Sequence, residues 1–407
     1  MAKEIPSTLS LPTELWIQIL ESSPRDTLAH VALVNHSLSE VAERILYRTV
    51  VLKWNTPEAR IFFESIATCP RRGTLVLDIS ILRIDGTDTR LPAILPTLLM
   101  ALPNLHAVTL RSSVPIPVCF ESIGILDIRL THLRSFAANL KVDPSPSSTA
   151  AFFAFLAAHP SLDTLDVRGN TLTDLPAHCV QDRRHLAALR VLACSSRFLN
   201  SRAPVLGSLT HLHRTAYLAS EVAHIAALLG SQLLSLRLGG RLAIPGRAVE
   251  LGWGMEEVQA RFPRLRYLQV DSPYRERPYL DTSVVDWLRP RRPAQSQGQA
   301  HSAPASEPYS ETPVPPPRLT IAWTYAEGFW SDAEAWAATY DAFLDDAAVQ
   351  CLKGWRGYVE RVVYEQSVRP YPMVSVRPQG TESDGQEERL VRVQDTVVGS
   401  GDYWKRA

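Results

Sequence analysis

His211 and His213, two residues apart, are the pair whose type and spacing come nearest to metal chemistry. A zinc site needs three or four ligands, and no cysteine or carboxylate cluster of metal spacing lies beside them. Surface histidines beside a leucine phrase are the better account. Asp341, Asp345 and Asp346 could surround a cation, but a solvated helix face explains them more simply. Gly399-Ser400-Gly401 lacks the strand–turn–helix setting of a nucleophile elbow. There is no GxxxxGK[ST] phosphate loop, and no GxGxxG follows a strand. The cysteines, Cys69, Cys119, Cys179, Cys194 and Cys351, are scattered and form no CxxC pair. That favours reduced thiols packed in the core of an intracellular protein. The expectation is a protein that is not an enzyme, with no catalytic residue, metal or cofactor.

Composition narrows the partners. The 407 residues are 45% hydrophobic and 21% charged, with 42 basic and 42 acidic side chains. A balanced charge gives no global case for binding nucleic acid or an anionic membrane. No apolar run is long enough to span a bilayer. Met1-Ala2-Lys3-Glu4 leads into polar residues without a secretory core. A cytoplasmic or nuclear protein is expected, with no nucleic-acid or membrane partner.

With no chemistry to position, the elements themselves carry the reading. Pro12 suits the first position of a helix, and Glu14 complements its dipole. Leu11, Leu15 and Ile19 recur every four residues, with Trp16 and Leu20 beside them, so one face is apolar. Pro24 stops this helix. A second run holds Leu28, Val31, Ala32 and Val34. Ser37 and Glu40 have capping-box spacing ahead of Val41, Ala42, Ile45 and Leu46, which predicts a third helix. Helices this short are not stable alone. A partner or the rest of the chain must cover them.

Residues 9–50 resemble the F-box, the motif by which substrate receptors attach to the Skp adaptor of cullin–RING ubiquitin ligases. The resemblance rests on Leu11-Pro12, Glu14-Leu15, Ile19-Leu20, Pro24-Arg25-Asp26, Leu28, Leu33-Val34 and the ending Leu46-Tyr47-Arg48-Thr49-Val50. It departs at Ser23, Asn35 and Leu38, where the family often has an apolar residue, Cys and Trp. The resemblance implies that Leu11, Pro12, Glu14, Leu15, Ile19, Leu20, Leu28 and Val34 bind the Skp adaptor, and cullin through it. The alternative is a generic helical cap on a repeat domain.

From about 51 to 290 one phrase returns: leucine, two or three residues, leucine, then an alternating apolar pair. Leu102-Pro103-Asn104-Leu105 with Val108 and Leu110 is one copy. Others start at Leu130, Pro160, Leu186, Leu206, Leu229 and Phe262. Helix-like stretches such as Ala150–His159 lie between them. Strand then returning helix, repeated every 20 to 32 residues or so, gives parallel strands in a solenoid. The set resembles irregular fungal F-box proteins with leucine-rich repeats. A leucine-rich α/β domain without solenoid order is the competing reading. The expected fold is therefore α/β, a short helical F-box (1–50) before a leucine-rich-repeat-like solenoid (51–290) with parallel strands and outer helices.

Polar residues between the inward-pointing ones would form the binding face for an unknown target protein. Candidates are His106, Thr109, Asp163, Thr164, Asp166, Arg168, Arg190, Arg237, Arg266, Tyr267 and Gln269. Residues 291–317 are rich in Pro, Ser, Gln and Ala and read as a disordered linker or loop, with Ser296, Ser302, Ser306, Ser310 and Thr312 open to modification. Within 318–407, Leu319–Trp323 reads as a last repeat strand, an aromatic-rich region around Trp330, Trp336 and Tyr340 as a cap, and Leu390–Val398 as a final strand. A ligand-binding aromatic pocket is the sharper reading of that region.

Overall fold

The recurring leucine phrase is a turn. In the computed structural model the backbone N–H of Leu105 donates to the carbonyl of Leu102, Leu133 to Leu130, Leu209 to Leu206, and Leu265 to Phe262. Both apolar residues of each turn are buried. The structure describes residues 11–34, 36–84, 88, 90–112, 120, 123–139, 146–167, 186–194, 206–214, 219–238, 255–272, 319–325, 345–346, 348–353, 359–365, 373–379 and 389–394. The linker 291–317, Asp341, Arg168 and most of the aromatic-rich region lie outside them.

Each turn delivers a strand to the one before it. A single carbonyl accepts two successive N–H groups of the incoming repeat: Leu77 from His106 and Ala107, His106 from Arg134 and Ser135, Arg134 from Asp163 and Thr164. Further along, Arg190 accepts from Thr210 and His211, Thr210 from Leu234 and Ser235, and Leu234 from Arg266 and Tyr267. This shared acceptor sets the register once per repeat and leaves the connecting chain free to vary in length.

The chain divides into two compact units, 1–188 and 189–407. The first opens with α1 (Thr13–Glu21), α2 (Arg25–Val34) and α3 (His36–Arg48). Pro12 precedes α1 as its cap residue rather than its first turn. Ser22 and Ser23 close it by donating from their hydroxyls to the carbonyls of Gln18 and Ile19. Because α3 begins at His36, Ser37 lies inside the helix and is not its cap. α3 runs directly into β1 (Thr49–Lys53). Then come α4 (Pro57–Thr68), α5 (Pro70–Leu75), β2 (Asp78–Ile84), α6 (Leu91–Met100), β3 (Ala107–Ser112), β4 (Ser135–Ala138), α7 (Pro146–Ala157) and β5 (Thr164–Val167). The strands β1 to β5 pair in chain order and all in parallel. Val50, Ile79, Val108, Phe136 and Leu165 share one register row on the core face.

The second unit carries β6 (Val191–Cys194), β7 (His211–Arg214), α8 (Ala219–Leu229), β8 (Ser235–Leu238), α9 (Met255–Arg261), β9 (Tyr267–Ser272), β10 (Leu319–Tyr325) and β11 (Val359–Glu365). These strands pair in parallel in order. β12 (Met373–Gln379) and β13 (Arg389–Gln394) then finish the sheet as antiparallel strands. Leu319–Trp323 does begin a parallel strand beside β9. It is not the last, because β11 follows it in the same sense.

One turn carries a polar residue in its first slot. His159 takes the first slot of the turn before β5, where its carbonyl accepts from Leu162 N–H. It is buried. Its Nε2 accepts from the Leu130 N–H at 3.0 Å, so Nδ1 carries the proton and donates to the Phe155 carbonyl at 2.7 Å. Burial pulls its pKa down, against the smaller opposing pull of the Phe155 carbonyl. The neutral ring is the form that fits, so the folded state resists protonation more than the unfolded chain does. Stability is then full above the ordinary histidine pKa of about 6.5 and falls as pH drops below it. His159→Leu is expected to flatten that acid slope, at a cost near pH 7.5 of about 1–3 kcal/mol for the Leu130 N–H left unpaired. Urea unfolding at pH 5 and pH 7.5 reads both effects.

Two glycines mark where repeats touch. A Cβ on Gly230 would lie 2.1 Å from the Arg261 carbonyl oxygen, and one on Gly73 would lie 2.2 Å from that of Ala101. Gly230 follows α8 and Gly73 lies within α5, each against the next repeat's backbone. Gly230→Ala and Gly73→Ala are each expected to destabilise by about 1–3 kcal/mol, the usual cost of overpacking. Gly207→Ala meets nothing within 4 Å and should stay within about 0.5 kcal/mol. Thermal melts of the three variants make the comparison.

Candidate partner-docking surfaces

α1 divides its apolar residues between core and solvent. Leu20 is 2% exposed, and Leu28 of α2 is 3% exposed. Leu11, Leu15 and Ile19 stand at 41%, 43% and 47%. Leu15 and Ile19 lie one turn apart on the exposed side of α1, and Leu11 is exposed just before its cap residue Pro12, with Pro12 and Glu14 exposed beside them. Leu33 of α2 is 85% exposed. The eight residues that the resemblance implied for adaptor binding therefore separate. Leu20 and Leu28 belong to the internal packing of the three helices and present nothing outward. The side chain of Val34 lies outside the described residues.

The helices bearing these exposed residues are fixed to the first repeat. Arg72 of α5 reaches back to α3, donating from Nη2 to Glu43 Oε1 at 2.9 Å, while Nη1 donates to Ser65 Oγ at 3.0 Å. Its guanidinium also lies 5.5 Å from the Tyr47 ring centroid. Tyr47 stacks on Phe62 of α4 and shares a hydroxyl hydrogen bond with Ser65. Arg71 pairs with Glu40 at 2.6 Å. Arg25 donates to the Thr49 carbonyl, at the junction of α3 and β1. Exposed pairs such as Arg71–Glu40 contribute little. The partly buried Arg72, which meets a carboxylate, a hydroxyl and a ring at once, is the stronger tie.

The second surface is the sheet face turned away from the core. In the first unit it is open: Thr49 and Val51 are exposed, and Ser80, Ala107, Thr109, Ser135, Ala137 and Thr164 are half-buried. His106 and Asp163 are half-buried at the strand entries, but Asp166 is only 8% exposed. In the second unit the corresponding face of its own strands is closed. One register row holds Val191, His211, Ser235, Tyr267 and Thr320, and the next holds Ala193, His213, Arg237, Gln269, Ala322 and Val363. Val191, Ala193, Tyr267, Ala322 and Val363 form one buried cluster. Tyr267 and Gln269, expected to face a target, are buried and satisfy each other, the phenol donating to Gln269 Oε1 at 2.8 Å. Arg237 is half-buried, and Arg190 and Arg266 are exposed.

The histidine pair is also inside. His213 is 2% exposed, and half-buried His211 has its pKa pulled down by burial. Surface histidines they are not. His211 Nδ1 lies 2.8 Å from Thr210 Oγ1, while its Nε2 and the enclosed Ser235 Oγ, on the next strand of the same row, have no hydrogen-bond partner among the described residues. Among the described residues no cluster of three metal-ligating side chains exists. Asp345 accepts from the Tyr364 hydroxyl at 3.1 Å. No described helix is long and apolar enough to cross a membrane.

No family model matches the chain, and no curated protein matches it. Its two surfaces carry the functional reading by themselves.

Proposed function

We propose that this protein is the substrate-receiving subunit of an SCF-type cullin–RING ubiquitin ligase. α1 holds the Skp adaptor, cullin is reached through it, and the open face of the first unit receives the target. The observation that carries this reading is the exposure of Leu15 and Ile19 on a helix already anchored by Leu20, with Leu11 exposed just ahead of it. Fully burying such a side chain is worth about 1.5–3 kcal/mol. Nearly half of each side chain is exposed, so a partner covering all three gains several kcal/mol. Such a protein would work in the cytoplasm or nucleus and would itself be non-catalytic.

A second reading, a repeat scaffold merely capped by its N-terminal helices, draws support from Leu20, Leu28 and Ala42, which bury the three helices against the fold. Mixing the full chain with recombinant Skp adaptor separates the two. Co-elution in size exclusion is expected under the receptor reading. Separate elution at micromolar concentrations leaves the capped scaffold.

A further inference from the structure

The open face of the first unit ends in three cations. Lys53 closes β1, Arg83 lies near the end of β2 and Arg111 near the end of β3. Lys53 pairs with Leu82. The β2–β3 register then slips, with Ile81 opposite Leu110 but Ile84 opposite Ser112. Leu82 and Arg83 together therefore oppose Arg111. Two residues against one is a β-bulge, a device that re-aims side chains. Here it keeps both Ile81 and Ile84 in the core while Arg83 stands exposed. With strict alternation, Arg83 would have been driven inward. The backbone meets the bulge with φ 58° at Arg83, a left-handed conformation that strains a non-glycine residue.

Strands lie about 4.8 Å apart, so the three cations span roughly 10 Å. Arg83 and Arg111 enter no ion pair and no side-chain hydrogen bond among the described residues. Lys53 has the Glu58 carboxylate within electrostatic reach. Asp88, beyond the end of β2, is already held by two Arg90 nitrogens and by Trp54 Nε1. Behind the cations stand Ser80, Thr109 and Ser135, whose hydroxyls bond no described side chain or backbone group.

We propose that Lys53, Arg83 and Arg111, with the hydroxyls behind them, bind an acidic segment of the recruited protein. The proposal rests on the receptor reading and names the chemistry of what is received. Three cations at one level of three adjacent strands, two of them without an ion pair among the described residues, match carboxylates spaced along an extended chain. The hydroxyls supply uncharged hydrogen bonds to its backbone. A chain with equal numbers of acidic and basic residues lacks the broad positive field that nucleic acid requires.

Fluorescence anisotropy on the purified full chain tests this with three labelled probes: a glutamate-rich peptide, a glutamine-rich peptide of equal length and a single-stranded RNA. The glutamate-rich peptide is expected to bind at least about tenfold more tightly than the neutral one, a difference of about 1.4 kcal/mol. Its affinity should fall as salt rises, since the contacts are exposed. Arg83→Gly with Arg111→Ser should lose that tenfold preference. Glycine adopts positive φ freely, so this variant should melt no lower than the wild type. Equal binding of the two peptides overturns the proposal, as does full binding by the double variant. RNA binding that matches the acidic peptide and depends on the same residues overturns it too. The double variant should still co-elute with the Skp adaptor, which docks on α1. If the wild type binds the acidic peptide but never the adaptor, the receptor reading falls and this site stands.

Discussion

Leu11→Asp combined with Leu15→Asp is expected to abolish capture of the Skp adaptor while leaving the fold intact. Both side chains already stand more than two-fifths in solvent, so charging them disturbs little in the free protein. In a complex they would be dry, and an unpaired carboxylate buried there costs several kcal/mol. Two such penalties exceed the few kcal/mol that the exposed leucines and Ile19 contribute, so a micromolar complex would disappear. Pull-down on immobilised adaptor reads the loss, and circular dichroism verifies the fold. Unchanged capture by this variant would sink the docking role of α1. The matching change in the core, Leu20→Asp, should instead unfold the three helices and lower the thermal midpoint.

Phe136→Ala should be among the most damaging substitutions in the first unit, at about 3–5 kcal/mol. Phe136 is buried in the core row of β4. Its ring lies 5.8 Å from Phe120 and 5.1 Å from Phe155. Phe120 continues to Phe152 at 5.1 Å, and Phe155 to His159 at 4.4 Å. Removing the middle ring opens a cavity between its two ring neighbours, Phe120 and Phe155, which cannot fill it together. The urea midpoint of the first unit is expected to drop sharply, whereas Val51→Ala, on the open face, should barely move it. Equal midpoints for the two variants would contradict this packing.

The repeat rhythm was legible because its leucines do one job: each pair three apart closes a turn, and the alternation after it is a strand half in the core. Leu15 and Ile19 on α1 were legible for the same reason, since their spacing is helical. His159 was missed because a polar side chain stood in a leucine slot, and only the Leu130 N–H above it explains the exchange. Tyr267 and Gln269 were placed outside because strand alternation predicts which face a residue occupies. It does not predict whether the chain covers that face. The bulge at Arg83 left no compositional trace, as no glycine marks it. Gly73 and Gly230 look like ordinary helix breakers until the neighbouring carbonyl is in view.

The shared acceptor that seats each strand also decides where the chain tolerates change. The Arg266 carbonyl accepts from Tyr267's successor repeat through Thr320 N–H, although the chain between β9 and β10 runs from Ser272 to Leu319. The register on both sides of that interval is the ordinary one. Doubling a loop adds only about 0.6 kcal/mol of closure cost. A long interval between two strands thus leaves their pairing unchanged, so the register of β9 and β10 is expected to survive an epitope, a reporter domain or an inducible cleavage site added between them.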